Sequence, residues 1–149
     1  MLMKQSKRLQ PIHDYKQRQE DEAAKKLAKA SQVLSQKKKS LADLESYRGE
    51  YEQQFLQNSS AGISAKRMKE FQTFMNNLSN VLDQQKAAMT SLQRDFEEKK
   101  RQWIAARNRT KALSKVQANY QQQEAIQEEK KQQKDQDDRN SRLPRNYPG

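Results

Sequence analysis

The sequence predicts an all-α fold in which two long helices form an antiparallel coiled-coil hairpin, with an overhanging second helix and a disordered C-terminal tail. Of the 149 residues, 32% are hydrophobic and 33% are charged, which leaves too little apolar surface for a globular core. Only 3 Gly and 3 Pro punctuate the chain, and helix-favouring residues are abundant. Two apolar stripes with alternating steps of three and four residues, separated by one turn, indicate paired helices.

The first predicted helix covers residues 11–58. Eight of the ten positions in its stripe are apolar when Tyr is counted, and only Lys37 and Arg48 are polar. The stripe consists of Ala23, Leu27, Ala30, Leu34, Lys37, Leu41, Leu44, Arg48, Tyr51 and Phe55. Because proline clashes with a preceding helical turn, we expect the helix to begin near Pro11 and residues 1–10 to be flexible.

A turn over residues 59–63 separates the two stripes. It lies in the cluster of turn-forming residues Asn58-Ser59-Ser60-Ala61-Gly62-Ile63-Ser64. Gly62 supplies a permissive backbone, and Ser64 is a suitable N-cap for the second helix, with Ile63 placed to pack against Met68. Because a short connection joins antiparallel helices, we expect the two stripes to face each other.

The second predicted helix covers residues 64–134. Eleven of its fourteen stripe positions are apolar: the stripe consists of Met68, Phe71, Met75, Leu78, Leu82, Gln85, Met89, Leu92, Phe96, Lys99, Trp103, Ala106, Thr110 and Leu113. Beyond Leu113 the seam positions are Gln117, Glu124 and Gln127, with Tyr120 the one aromatic, so we expect this helix to overhang the first. Residues 135–149 lack periodicity and contain two prolines, which predicts a disordered tail.

The register of the two stripes has two solutions. One places Leu34 opposite Leu92 and the other places Leu27 opposite Leu92, and both alternate large with small residues. Polar seam residues such as Lys37 and Gln85 restrict the possible registers, although a wet seam also tolerates them. The same stripes serve pairing within one chain or between two chains, so both arrangements stay open.

The residue inventory argues against catalysis and against a bound cofactor or metal. The chain has one histidine, His13, which we interpret as an exposed helix residue, and it has no cysteine. Its glycines are isolated and form no phosphate-binding loop. Many carboxylates stand four residues before a base, as in Asp95 to Lys99 and Glu97 to Arg101, which is the spacing of surface ion pairs. We therefore expect no enzymatic activity.

The formal net charge of +11 permits binding to nucleic acid, to anionic lipid or to an acidic protein surface. The basic residues are scattered along the helices and do not form one basic region before a zipper, which argues against base-specific readout. No apolar run approaches the eighteen or so residues of a transmembrane helix, and the N-terminus lacks a signal-peptide core. We expect a cytoplasmic protein. A nucleic-acid-associated coiled coil and a self-associating structural coiled coil remain alternatives.

Aromatic residues concentrate near the turn and widen the apolar face there. Tyr47, Phe74 and Val81 occupy positions that flank the seam, immediately before a seam residue. Half of the ten aromatic residues belong to this end of the hairpin: Tyr47, Tyr51, Phe55, Phe71 and Phe74. Exposed aromatics on a thin helical scaffold are typical of protein contacts, so we predict a protein-binding site at this end.

The same residues carry a resemblance to the FliJ family of flagellar type III export proteins. The resemblance consists of Leu44-Glu45-Ser46-Tyr47-Arg48-Gly49-Glu50-Tyr51, Gly62-Ile63-Ser64 and Phe71-Gln72-Thr73-Phe74, with Leu78 four residues further on. It implies a cytoplasmic export component, peripherally associated with the inner membrane at the flagellar base. Its partners would be the hexameric ring of the export ATPase FliI, the cytoplasmic domain of the export-gate protein FlhA, and export chaperones that it helps to recycle. The implied protein-binding residues are Leu44, Tyr47, Tyr51, Phe74, Leu78 and Val81.

Overall fold

The computed structural model of the chain describes residues 3–142, and in that range it consists of two α-helices joined by one turn. Helix α1 spans Gln5–Asn58 and helix α2 spans Ala65–Arg142. The predicted all-α hairpin is confirmed. The described residues fall into two compact units: a terminal unit within Met1–Asp21 and Ala105–Gly149, and a turn unit comprising Glu22–Ile104. In each unit, a stretch of α1 packs against an antiparallel stretch of α2.

Helix α1 begins at Gln5, six residues before the predicted start, and Pro11 lies inside it. The first N–H groups of the helix are hydrogen-bonded to acceptors that the spacing of hydrophobic residues does not predict. The Arg8 N–H donates to the Lys4 carbonyl oxygen at 3.1 Å, and the Ser6 N–H donates to the Glu124 carboxylate of α2 at 3.1 Å. Proline removes one helical hydrogen bond and crowds the carbonyl four residues earlier, but a helix that is packed against a partner can continue through it.

The turn follows the sequence prediction closely. The Ser59 hydroxyl donates to the Phe55 carbonyl at 2.5 Å, and the Gly62 N–H donates to the Ser59 carbonyl at 3.0 Å. Gly62 has a φ of 99°, in the left-handed region that glycine adopts without steric penalty. Ser64 caps α2, because its hydroxyl oxygen accepts a hydrogen bond from the Arg67 N–H at 3.2 Å.

The interior of the turn unit is mainly apolar and contains the first predicted stripe and the part of the second stripe up to Trp103. Its buried residues are Ala30, Leu34, Leu41, Leu78 and Leu82. All ten positions of the first stripe are buried or half-buried, and so are those of the second except Met68, which is 39% exposed. Phe55 stacks on Phe71. Counting three heptads along each helix from this pair places Leu34 opposite Leu92, which is the first of the two registers.

The seam of the terminal unit is polar, and it extends further than the sequence predicts. Gln117 is buried and its side-chain N–H₂ group donates to the Ser6 carbonyl at 3.0 Å and to the Gln10 side-chain oxygen at 2.7 Å. The pairing continues to Glu124, beyond the last apolar position of the stripe at Leu113, so the predicted overhang of α2 is confirmed but is shorter than the stripe suggests. Polar seam residues interrupt the hydrophobic pattern, which suggests that the pairing has ended. Here they form hydrogen bonds with one another across the helices. The exposed overhang of α2 starts at residue 125.

Two further features differ from the prediction. His13 is not an exposed helix residue: its ring is largely covered and its Nε2 lies 2.8 Å from the Ser114 hydroxyl. Helix α2 continues eight residues past residue 134, and its last turn carries Arg139 and Arg142, whose positive charges interact favourably with the C-terminal end of a helix. Residues 143–149 of the predicted disordered tail lie outside the described residues.

Candidate functional site

Four ring contacts join the aromatic residues on both sides of the turn. Phe55 and Phe71 are stacked with ring centroids 3.7 Å apart and an interplanar angle of 7°. Tyr51 lies against Phe71 at 5.9 Å and against Phe74 at 4.4 Å, and Tyr47 follows Tyr51 at 6.4 Å. Residues four apart on a helix share a face, which explains how Tyr47, Tyr51 and Phe55 form one row along α1. The contacts connect this row to α2.

The six residues proposed from the sequence divide by exposure. Tyr47 and Val81 are 50% and 42% exposed, so each presents apolar surface directly to solvent. Tyr51, Phe74 and Leu44 are half-buried, and Tyr51 and Phe74 belong to the ring cluster. Leu78 is only 8% exposed and packs in the core. A partner could therefore contact Tyr47, Phe74 and Val81, whereas Leu78 holds the two helices together.

Sequence reasoning placed Phe55 and Phe71 near the site but missed the polar groups beside them. A groove next to the stacked pair is lined by Gln54, Asn58, Arg67 and Glu70 together with the rings of Tyr51, Phe55 and Phe71. Helix spacing offered a usable signal, because Gln54 and Asn58 stand three and seven residues after Tyr51 and share its face. These side chains give the aromatic surface a polar border.

The two sides of the seam in the turn unit have opposite character. Residues seven apart stay on the same side of a paired helix. One side, the apolar flank, carries Val33 and Tyr47 on α1 and Phe74, Val81 and Ala88 on α2. The other side, the polar flank, carries Lys38, Glu45 and Glu52 on α1 and Gln72, Ser79 and Lys86 on α2. Exposed Val33, Tyr47 and Val81 thus lie on one side, and the Glu45–Lys86 ion pair, at 3.6 Å, lies on the other.

Basic side chains border the apolar flank. A groove beside Phe74 is lined by Lys66, Lys69 and Glu70, with Thr73 and Asn77. A second groove, around the 38% exposed Val33, is lined by Lys26, Lys29 and the Asp95–Lys99 ion pair. Apolar surface bordered by ammonium groups suits a partner that is apolar with acidic edges.

Several carboxylates in the described part of the chain form ion pairs or hydrogen bonds along or between the helices. The pKa of Glu98 is lowered, first by its hydrogen bond from Arg101 at 2.6 Å and then by the positive charge of that side chain. Asp95 pairs with Lys99 at 3.8 Å as predicted, whereas Arg101 pairs with Glu98 and not with the predicted Glu97. Within residues 3–142, no cluster of acidic or His side chains could hold a metal ion. Neither described helix contains a stretch apolar enough to cross a membrane.

A family model described as the flagellar FliJ protein matches residues 5–148 of the chain. The chain belongs to the FliJ family. The match covers both helices of the hairpin, including the aromatic turn and the polar terminal unit, and it confirms the resemblance carried by the Tyr47–Tyr51 and Phe71–Phe74 motifs. As a FliJ family member the chain is a component of flagellar type III protein export. No curated protein and no solved structure matches it.

Proposed function

We propose that this FliJ family member binds the export gate FlhA through the apolar flank near the turn. The observation that carries this proposal is the chain of ring contacts from Tyr47 through Tyr51 to Phe74. These contacts join both helices and leave Tyr47 half exposed. Tyrosine anchors of this kind supply large rigid contact area with little loss of side-chain entropy on binding. Val81, seven residues beyond Phe74, extends the same surface.

We further propose that the paired helices bind inside the hexameric ring of the export ATPase FliI, and that the chain assists recycling of export chaperones. Support comes from the two-helix cross-section and from the charge of α2. Between Glu98 and Glu124, α2 has seven Lys and Arg residues and no acidic residue. Such a surface suits an acidic lumen or an acidic chaperone face. The chain would then act in the cytoplasm, peripherally at the inner membrane of the flagellar base.

The gate proposal is tested by the double substitution Tyr47→Ala with Phe74→Ala. A pulldown with the cytoplasmic domain of the gate should lose most of its signal, while the helical circular-dichroism signal stays nearly unchanged. The matched control is Glu45→Ala with Lys86→Ala, which removes an ion pair of the same turn unit but on the polar flank. Equal loss of gate binding in both variants, or a collapse of helicity in the first, would contradict the proposal.

Two alternative functions have their own observations and tests. The acid-free basic stretch of α2 also suits nonspecific phosphate binding, and a salt-dependent mobility shift with nucleic acid near physiological ionic strength would favour that function. The exposed apolar flank also suits self-association, which a mass measurement in solution would reveal as a dimer. A monomer without a mobility shift is the result expected for the export component.

A further inference from the structure

The two units are held together by different chemistry. Five of the six buried apolar residues of the described chain lie in the turn unit, and only Ala106 lies in the terminal unit. The three buried polar residues show the reverse distribution, because Ser6, Thr110 and Gln117 all lie in the terminal unit. Apolar burial is lost outright when helices separate, whereas water replaces most of the hydrogen bonds of a polar seam.

The contacts that hold residues 5–21 against α2 are individually replaceable by water. They include the two hydrogen bonds from Gln117, the two from Ser6 to Glu124, the His13–Ser114 contact at 2.8 Å, and the bond from the Thr110 hydroxyl to the Lys16 carbonyl at 3.3 Å. Thr110 also donates to Ala106 of its own helix at 3.1 Å, so its hydroxyl keeps an acceptor when the helices part.

Three features weaken this stretch of α1 further. Pro11 removes one hydrogen bond from the helix interior. The Nδ1 atom of His13 is buried without a hydrogen-bond partner, so separation of the helices would let water reach it. Finally, the first turn of α1 contains no acidic residue and takes its cap from Glu124 of the opposite helix, so the cap is lost together with the pairing.

We propose that residues 5–21 of α1 form a release segment, which detaches from α2 as a unit while the turn unit stays paired. Detachment uncovers the polar seam of α2 around Thr110 and Gln117 and frees the N-terminal end of α1. This built-in opening is independent of the proposed partners, because it follows from the seam chemistry of the terminal unit alone.

Thiol labelling tests the release segment with a matched pair of positions. Ala106 and Ala30 are both seam alanines and are 8% and 9% exposed, but they lie in the terminal and turn units respectively. The chain has no cysteine, so Ala106→Cys and Ala30→Cys each create a single thiol in the full-length protein. In native buffer, a maleimide should label the first variant at least about tenfold faster than the second, because local opening needs less free energy than global unfolding. Equal labelling rates would overturn the proposal.

Pro11→Ala provides the second arm. It restores a helical hydrogen bond in α1 and should slow labelling of the Ala106→Cys thiol by about tenfold or more, with little change at the Ala30→Cys position. A variant that slows both positions equally would show that α1 opens as one piece, and would also overturn the proposal. Circular dichroism of each variant checks that helicity is retained.

Discussion

Glu124 of α2 caps the N-terminal end of α1 by accepting two hydrogen bonds from Ser6. The Ser6 N–H lies 3.1 Å from one carboxylate oxygen and the Ser6 hydroxyl lies 2.6 Å from the other. Helix N-termini present unpaired N–H groups and a partial positive charge, both of which a carboxylate satisfies. The residue that caps the first helix therefore lies more than a hundred positions away in the chain.

The Glu124 cap predicts a pH dependence of the pairing at this end. The pKa of Glu124 is lowered, first by the hydrogen bond from the Ser6 side chain and then by that from the Ser6 backbone. Because the folded-state pKa lies below the unfolded-state pKa, the stabilisation is present above the unfolded-state value and disappears as the pH falls through the folded-state value. The protection of the residue 6–8 amides, measured as their exchange rate relative to the intrinsic rate at the same pH, should fall over that range.

Glu124→Gln should lower the protection of the residue 6–8 amides already at neutral pH. In this variant, protection should no longer fall further on acidification, because the carboxylate is absent. Glu129→Gln, on the exposed overhang of α2, is the control and should leave the exchange of these amides unaltered. Unchanged protection in Glu124→Gln would mean that the cap contributes nothing to the start of α1.

The polar seam contact between Lys37 and Gln85 should make the hairpin less stable than an apolar pair at the same positions would. Lys37 donates a hydrogen bond to the Gln85 side-chain oxygen across a mainly apolar part of the seam. Replacing both with Leu should raise the free energy of unfolding by about 1–3 kcal/mol, as apolar replacement of buried polar pairs often does. Gln85→Leu alone should lower it by about 1 kcal/mol, because Lys37 loses its acceptor. Urea unfolding followed by circular dichroism measures both, and a destabilised double variant would contradict this account.

The two interior glycines should respond to alanine in opposite directions. Gly62 has a φ of 99°, which alanine adopts only with strain, so Gly62→Ala should destabilise the hairpin by about 1 kcal/mol or more. Gly49 lies within α1 with nothing within 4 Å of an added Cβ, so Gly49→Ala should stabilise it by about 0.5–1 kcal/mol. Thermal melts of the two variants should therefore shift in opposite directions, and shifts of the same sign would refute the assignment of the turn.

Alanine substitutions at Tyr51 and Tyr47 should lower the free energy of unfolding by different amounts. Tyr51 contacts Tyr47, Phe71 and Phe74, so Tyr51→Ala should lower the free energy of unfolding by about 2–3 kcal/mol. Tyr47→Ala removes a half-exposed ring and should lower it by less than about 1 kcal/mol. Denaturant titrations of the two variants measure the difference. Equal losses would place Tyr47 in the core and weaken its assignment as a binding residue.

The apolar half of this structure was predictable because its signal is local and periodic. Steps of three and four residues identify the positions that Leu34 and Leu82 occupy, and Ser64 and Gly62 identify the turn from neighbouring residues alone. The exposed part of the site follows in the same way, since Tyr47 and Val81 stand beside seam positions.

The polar half was not predictable by that method, because its partners are distant in the chain. Gln117 looks like the end of a stripe until Ser6 and Gln10 are placed opposite it. Arg101 had acidic neighbours at both three and four residues, and only the side-chain geometry selects Glu98. Hydrogen bonding between polar residues leaves no hydrophobic period, so a sequence pattern underestimates the length of the pairing.

The difference between the two flanks of the turn unit has a consequence for symmetry. A coiled coil with equal sides would fit a surrounding ring of six identical subunits in many rotational settings. Here only one side carries exposed Val33, Tyr47 and Val81, so inside the six-subunit ring proposed as a partner that side would face one subunit at a time. A rotation by one-sixth of a turn restores the same contact with the next subunit. The hairpin would therefore have six equivalent rotational orientations in such a ring. In none of them would the apolar flank contact all six subunits at once.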